Sequence, residues 1–401
     1  MSFDGLVLVT LVAFLVPLIL GFFPKLRLPA IVLEILAGIA IGPAGLGWVT
    51  IDPPIQVLSI LGLSVLLFLA GLELDVSLLR GPRLKAVLIG WLLSFGIAYA
   101  VSLALTAAGI VKASLLVAIV LSATALGIIV PVLKDAGELE GEFGQLMMAA
   151  SSVAEFGTII LLSLLFSREA TDPLTKGLLM GSFVVLTLII VGAVVAAEHW
   201  HRLGGVLLKL QDSTAQVRVR GAALLLVAFA ALAERMGLEV ILGAFVAGAL
   251  LSLLDKDYHK THPKFHEKLE AIGYGVFIPV FFVASGIKFD LQALFADAGT
   301  VLRVPIFLIA LLAARGLPAL LYQPLVGRDR AIVAGLLQAT SLPFIVAATG
   351  IGVELGVMTK TNAAGLIAAG LLSVIVFPMT GLALLRKAPP LPAAHAAPAR
   401  T

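Results

Sequence analysis

Long uncharged apolar runs, each closed by a short cluster of charges or a Gly/Pro pair, repeat along this chain from its first residues almost to its last. A helix crosses roughly 30 Å of hydrocarbon in about 20 residues, so runs of about 17 to 25 residues are read as membrane spans. Cutting at the charges predicts thirteen: 5–23, 28–47, 55–75, 84–109, 112–134, 145–166, 174–198, 219–236, 238–254, 271–288, 299–323, 330–350 and 361–386. The predicted fold is an all-α polytopic membrane protein, followed by a Pro/Ala-rich tail over 387–401 that is expected to be disordered.

Composition agrees with the pattern. Of 401 residues, 60% are apolar and 13% charged, against roughly 25% charged in a soluble domain. The net charge of +3 is dispersed in short inter-span clusters, which gives no basic face for nucleic acid. With the N-terminus outside, nineteen Lys and Arg fall in inner loops and the C-terminal tail, and seven fall outside. That asymmetry predicts an N-out, C-in topology, and a bacterial inner membrane is the expected location. The first span follows an acidic Asp4 and lacks a small-residue cleavage site, so it is expected to be retained. The chain has no cysteine and needs no disulfide.

The spans contain an internal repeat. Gly71-Leu-Glu-Leu-Asp75-Val-Ser-Leu-Leu79 corresponds to Gly286-Ile-Lys-Phe-Asp290-Leu-Gln-Ala-Leu294, and Leu121-Ser-Ala-Thr124 to Leu337-Gln-Ala-Thr340, at offsets of 215 and 216. An odd number of spans separates the members of each pair, so the copies point in opposite directions. Residues 5–166 and 219–386 are thus expected to be inverted repeats of six spans, with 174–198 as a connecting helix. Inverted repeats characterise secondary transporters, whose substrate sites lie near the midplane where discontinuous helices meet.

The candidate chemistry sits at that depth. Ser122, Thr124, Gly127 and Pro131 in one repeat, and Thr340, Ser341, Pro343, Thr349 and Gly350 in the other, predict two helices that break near their centres. Glu155 is central in the uncharged run 145–166. A carboxylate there costs roughly 2.5–3.5 kcal/mol on insertion scales, so it implies a partner and a task. Protonated, it is neutral; ionised, it is a hard oxygen ligand for a transient alkali cation, helped by hydroxyls such as Ser151, Ser152 and Thr124.

Arg315 lies within span 299–323 and cannot readily lose its proton, which suits a fixed counter-charge or helix clamp; the alternative is a side chain snorkelling to the inner surface. Glu34, Glu73, Asp75, Glu198 and Glu234 fall toward predicted span ends and are expected to be interfacial. His259, His262 and His266 fall in a Lys-rich segment interrupted by Pro263, read as a solvated loop in which metal binding is the less favoured option. No phosphate loop, zinc spacing or nucleophile motif is present, so neither an enzyme nor a cofactor is expected.

With these residues identified, the chain resembles the cation:proton antiporter family that includes the Kef-type potassium/proton and NapA-type sodium/proton exchangers. The resemblance is carried by residues 28–47, 67–75, 121–133, 241–252 and 278–291. It implies a homodimer with a scaffold that includes spans 2 and 9. It also implies a moving core of spans 4 to 6 and 11 to 13, sliding against the scaffold like an elevator. Glu155, Thr124 and Thr340, with Ser341 beside it, would lie where the two broken helices cross, and Arg315 would be the basic residue of the core.

The chain departs from the family pattern in carrying Ala154-Glu155 where relatives often have an Asp-containing pair, and regulation through an attached nucleotide-binding domain, as in many Kef-type proteins, is not expected. The expected activity is exchange of Na+ or K+ for protons, electroneutral and one for one. A conductive cation channel and a non-transporting sensor subunit are the competing readings.

Overall fold

The computed structural model describes residues 3–22, 29–73, 81–139, 141–166, 216–254, 263–295 and 298–387, with isolated helical positions between 178 and 189. Most of the predicted connector, the separate positions Asp75, Glu198, His259 and His262, and the tail after Lys387 lie outside the described residues.

Every regular element among the described residues is helical. In chain order they are α1 Asp4–Phe22, α2 Ala30–Ile41, α3 Pro53–Leu72, α4 Gly81–Ala107, α5 Ser114–Leu121, α6 Leu126–Asp135 and α7 Glu142–Leu165. There follow α8 Val217–Arg235, α9 Val240–Leu254, α10 Pro263–Ile272, α11 Ile278–Ile287, the short α12 Leu291–Leu294 and α13 Ala298–Ala319. The chain closes with the short α14 Gln323–Val326, α15 Arg328–Gln338, α16 Pro343–Glu354 and α17 Lys360–Leu385. Among the described residues, eight stretches are long and apolar enough to cross a bilayer, and three shorter apolar helices accompany them.

The helices form two compact units. Unit 1 takes residues 1–76 and 156–296, which hold α1–α3 and α8–α12; unit 2 takes 77–155 and 297–401, which hold α4–α6, most of α7, and α13–α17. Each unit draws on both halves of the chain.

Two glycine contacts set the packing of unit 1. Gly38 of α2 lies against the Val283 carbonyl of α11, and Gly286 of α11 lies against the Ile35 carbonyl of α2, so a Cβ at either would strike backbone. Gly71 of α3 and Gly248 of α9 meet the carbonyls of Phe245 and Phe68 in the same reciprocal way. Lipid supplies no hydrophobic drive for helix association, so close backbone approach at small residues supplies dispersion contact instead. A repeat that exchanges α2 with α9 and α3 with α11 would turn one of these contacts into the other.

Unit 2 is held by a cluster that includes Val87, Ile129, Phe143, Met147, Tyr322 and Leu337. At one side of it Arg330 donates to Glu138 at 2.9 Å and lies over the Phe143 ring at 5.6 Å.

Three features differ from the sequence expectation. The break between α5 and α6 falls at Ser122–Ala125, upstream of Pro131, which lies inside α6. The hydroxyls there compete for backbone: Ser122 Oγ donates to the Ile119 carbonyl at 3.0 Å. Only Pro343 stands at a break, opening α16, where its missing N–H would be unpaired in any case.

The His266 segment is helix and not loop. Pro263 opens α10, which runs through a π-helical turn, Gly273–Phe277, into α11. The reading of Pro263 as an interruption was misplaced because proline is tolerated in a first helical turn. Finally, Glu34, expected at the solvent-facing end of a span, is buried in α2, 5% exposed, and lines a cavity of about 810 Å³ with Thr10, Phe14, Leu58 and Tyr274.

Candidate ion-binding site

Unit 2 contains two helices interrupted at mid-length, α5/α6 at 122–125 and α15/α16 at 339–342. The interruptions meet: the Ala125 N–H donates to the Thr340 carbonyl at 3.0 Å. Ser122, Thr124, Thr340 and Ser341 are fully buried there. Irregular backbone at membrane depth is tolerated only when protein satisfies its polar groups, and this crossing does so with an inter-segment bond and with side chains from three further helices.

Glu155 of α7 is 6% exposed, and its Oε2 accepts from the Leu126 N–H at 3.3 Å. Leu126 is the first residue of α6. The carboxyl therefore lies at a helix N-terminus, where unpaired N–H groups and the helix dipole favour negative charge. Ser151 and Ser152 precede Glu155 by four and three residues on α7 and are both buried, at 0% and 7% exposure. The Ser151 and Ser341 hydroxyls make no hydrogen bond within the protein. The Ser341 N–H is held by Ser373 Oγ at 3.3 Å.

Arg315 serves the opposite helix pole. Its side chain is 2% exposed on α13, which removes the snorkelling alternative. Nε donates to Thr124 Oγ1 at 2.8 Å, Nη1 to Ser94 Oγ at 3.1 Å and Nη2 to Gln338 Oε1 at 2.9 Å. Thr124 Oγ1 in turn donates to the Gln338 carbonyl at 2.7 Å, and Ser94 Oγ to the Ala314 carbonyl at 2.7 Å. Gln338 ends α15. The guanidinium thus lies at a helix C-terminus, where positive charge is favoured.

The candidate residues are not equivalent in this arrangement. Glu155 presents a carboxyl at a half-helix start. Thr124 is committed through its hydroxyl to Arg315 and Gln338. Thr340 gives its carbonyl to the crossing, while its hydroxyl turns back toward the Leu336 carbonyl at 3.4 Å. Sequence reasoning missed Ser94, Gln338 and Ser373 as members of the site. Gln338 could have been found, since it lies inside the repeated Leu337-Gln-Ala-Thr340 motif; Ser94, a lone serine in an apolar helix, gives no such signal.

Two buried, crossing broken helices, with a carboxyl at one pole and a guanidinium at the other, are an arrangement that secondary transporters of the discontinuous-helix class use. Residues 10–387 match the family model described as sodium/hydrogen exchanger, transmembrane, and the chain belongs to that family, one of transporters and not enzymes.

It is 31% identical over 398 residues to the putative Na(+)/H(+) antiporter YjbQ of Bacillus subtilis, covering 94% of this chain and 62% of that protein's length. It is 26% identical to the probable Na(+)/H(+) antiporter 3 of Methanocaldococcus jannaschii, over 92% of each. The solved structure of the sodium proton antiporter MjNhaP1 from Methanocaldococcus jannaschii has the same fold, with a TM-score of 0.69 at 19% identity, covering 96% of this chain and 98% of that one.

Proposed function

We propose that the chain exchanges a monovalent alkali cation, Na+ or K+, for protons across a membrane by alternating access, with Glu155 holding each in turn. The supporting observation is the position of the Glu155 carboxyl, buried and bonded to the first N–H of a broken half-helix. The helix terminus favours the ionised, cation-binding form, whereas burial favours the protonated one. A group so balanced can hand over one ligand for the other.

Ser151 and Ser341 supply further oxygen donors in this reading, with Ser152 beside them, and a hard, oxygen-rich donor set suits an alkali cation. Thr124 and Thr340 are positioning residues that hold the crossing in shape. Arg315 is a permanent charge bound to hydroxyls and a helix end, so the titrating charge is that of Glu155, and exchange is electroneutral at one cation per proton. The related antiporters named above support sodium, and a relative named Na(+)/H(+)-K(+) antiporter GerN, from Bacillus cereus, keeps potassium in the pair. The reciprocal glycine contacts support the inverted repeat. A homodimer in a bacterial inner membrane, N-terminus outside and C-terminus inside, completes the proposal.

Proteoliposomes with a preset proton gradient and an enclosed pH dye test it. Saturable dequenching by Na+ or K+ that is lost in Glu155→Gln is the expected result. Cation current without obligatory proton movement would replace this reading with a channel.

A further inference from the structure

Away from the broken helices, unit 1 gathers three side chains of metal-ligating type. One ligand atom from each of Glu73, His266 and Glu270 lies within 4.8 Å of the other two. Glu73 caps the C-terminal end of α3, and His266 and Glu270 are four residues apart on α10, hence on one helix face. His266 Nε2 and Glu270 Oε1 are 2.8 Å apart. All three belong to unit 1.

A second observation concerns Glu73 itself. Its Oε2 is shut off from solvent and accepts no hydrogen bond from the protein. A buried acceptor without a donor costs about 1–3 kcal/mol, and a second carboxylate nearby adds repulsion. A divalent cation would relieve both, because it draws the two carboxylates onto one centre and gives the orphan oxygen a partner.

We propose that Glu73, His266 and Glu270 form a binding site for a divalent transition cation of the zinc class. One imidazole with two carboxylates is a borderline donor set, suited to Zn2+ or Co2+ and unsuited to the alkali ions that oxygen-only sites prefer. Around tetrahedral zinc, ligand atoms stand about 3.4 Å apart, so the His266–Glu270 pair, 2.8 Å apart, must open by roughly 0.6 Å and separations of up to 4.8 Å must close by roughly 1.4 Å at most, within reach of side-chain rotation. The His266 and Glu270 side chains are 24% and 41% exposed, which leaves an entry route and room for a water as fourth ligand. Occupancy ties the end of α3 to the start of the helix that continues through the π turn. The inference does not depend on the role given to Glu155.

The test is titration of Zn2+ into the purified full chain in detergent, in excess Na+ and K+, read by calorimetry and by the thermal unfolding midpoint, with Co2+ as an absorbing probe. Expected are one Zn2+ per chain, a raised midpoint and visible Co2+ bands. His266→Ala and Glu73→Gln each weaken binding at least about tenfold, while the His259→Ala, His262→Ala double variant binds as wild type. A folded chain without stoichiometric binding overturns the proposal. So does full-affinity binding by His266→Ala, or loss of binding in the double variant with retention in His266→Ala. Should Glu73→Gln fail to fold, the His266→Ala arm decides.

Discussion

Arg315 and Thr124 are joined by a 2.8 Å hydrogen bond from Nε to Oγ1, and through that hydroxyl the guanidinium reaches the end of the opposite broken helix at the Gln338 carbonyl. One threonine oxygen accepts from α13 and donates to α15 while standing in the interruption between α5 and α6. The two breaks are thereby fixed to each other by a side chain as well as by the Ala125–Thr340 backbone bond.

Thr124→Val is isosteric but removes the donor and the acceptor together, leaving a buried guanidinium N–H and a helix-end carbonyl without that partner. The cost expected is about 1–3 kcal/mol, seen as a lower thermal midpoint, with exchange impaired. Thr124→Ser keeps the oxygen and should retain both. Arg315→Lys keeps the charge but cannot span Thr124, Ser94 and Gln338 with one planar fork, so it should destabilise more than Thr124→Ser.

If a proton and a cation share the Glu155 carboxyl, they compete. Ionisation is required for cation binding, so the apparent KM for Na+ or K+ should rise as pH falls, approaching about tenfold per pH unit below the site's pKa. Maximal rate at saturating cation should vary less steeply across the same range. A KM that stays constant across the pH range in which the saturating rate itself titrates would show that the two ligands occupy separate groups.

Gly248→Leu and Gly38→Leu place a side chain where a carbonyl of the facing helix already stands. Each should cost at least about 1–3 kcal/mol and lower the yield of folded protein. Gly96 on α4 has open space where a Cβ would go, so Gly96→Ala should be neutral or stabilising by up to about 1 kcal/mol. Detergent melting curves of the three variants separate backbone contact from a general intolerance of glycine replacement.

Electroneutral exchange predicts that, with Na+ as the exchanged cation, a valinomycin-set potential leaves the initial rate unchanged at fixed Na+ and proton gradients. The cysteine-free sequence allows single cysteines to report sidedness directly. A cysteine at Lys387 should be labelled by an impermeant maleimide in inside-out vesicles and protected in right-side-out ones.

Much of the site was legible because the membrane makes polarity expensive. A carboxyl or guanidinium amid apolar residues stands out at Glu155 and Arg315, and hydroxyl clusters at matching repeat positions locate both breaks. The weaker inference was local. Pro131 suggests a break at its own turn, yet the break falls at 122–125, where the hydroxyls and the opposing Thr340 carbonyl provide the alternative partners that release the helix. The His266 segment was misread because charge density suggested a loop, whereas Pro263 suits the first turn of the helix it begins.

By itself, the order of apolar and charged residues determined that this chain is helical and crosses a membrane many times, since a backbone in hydrocarbon must satisfy its own hydrogen bonds. It also marked Glu155 and Arg315 as charged residues inside long apolar runs. Tertiary structure alone decided their partners. Arg315 reaches residues 191, 221 and 23 positions away, and Glu73 comes to face Glu270 and His266. Such pairings depend on which helix faces pack together at glycines like Gly38 and Gly286, a matter of shape over a few ångströms that hydropathy, which records only transfer between solvents, does not encode.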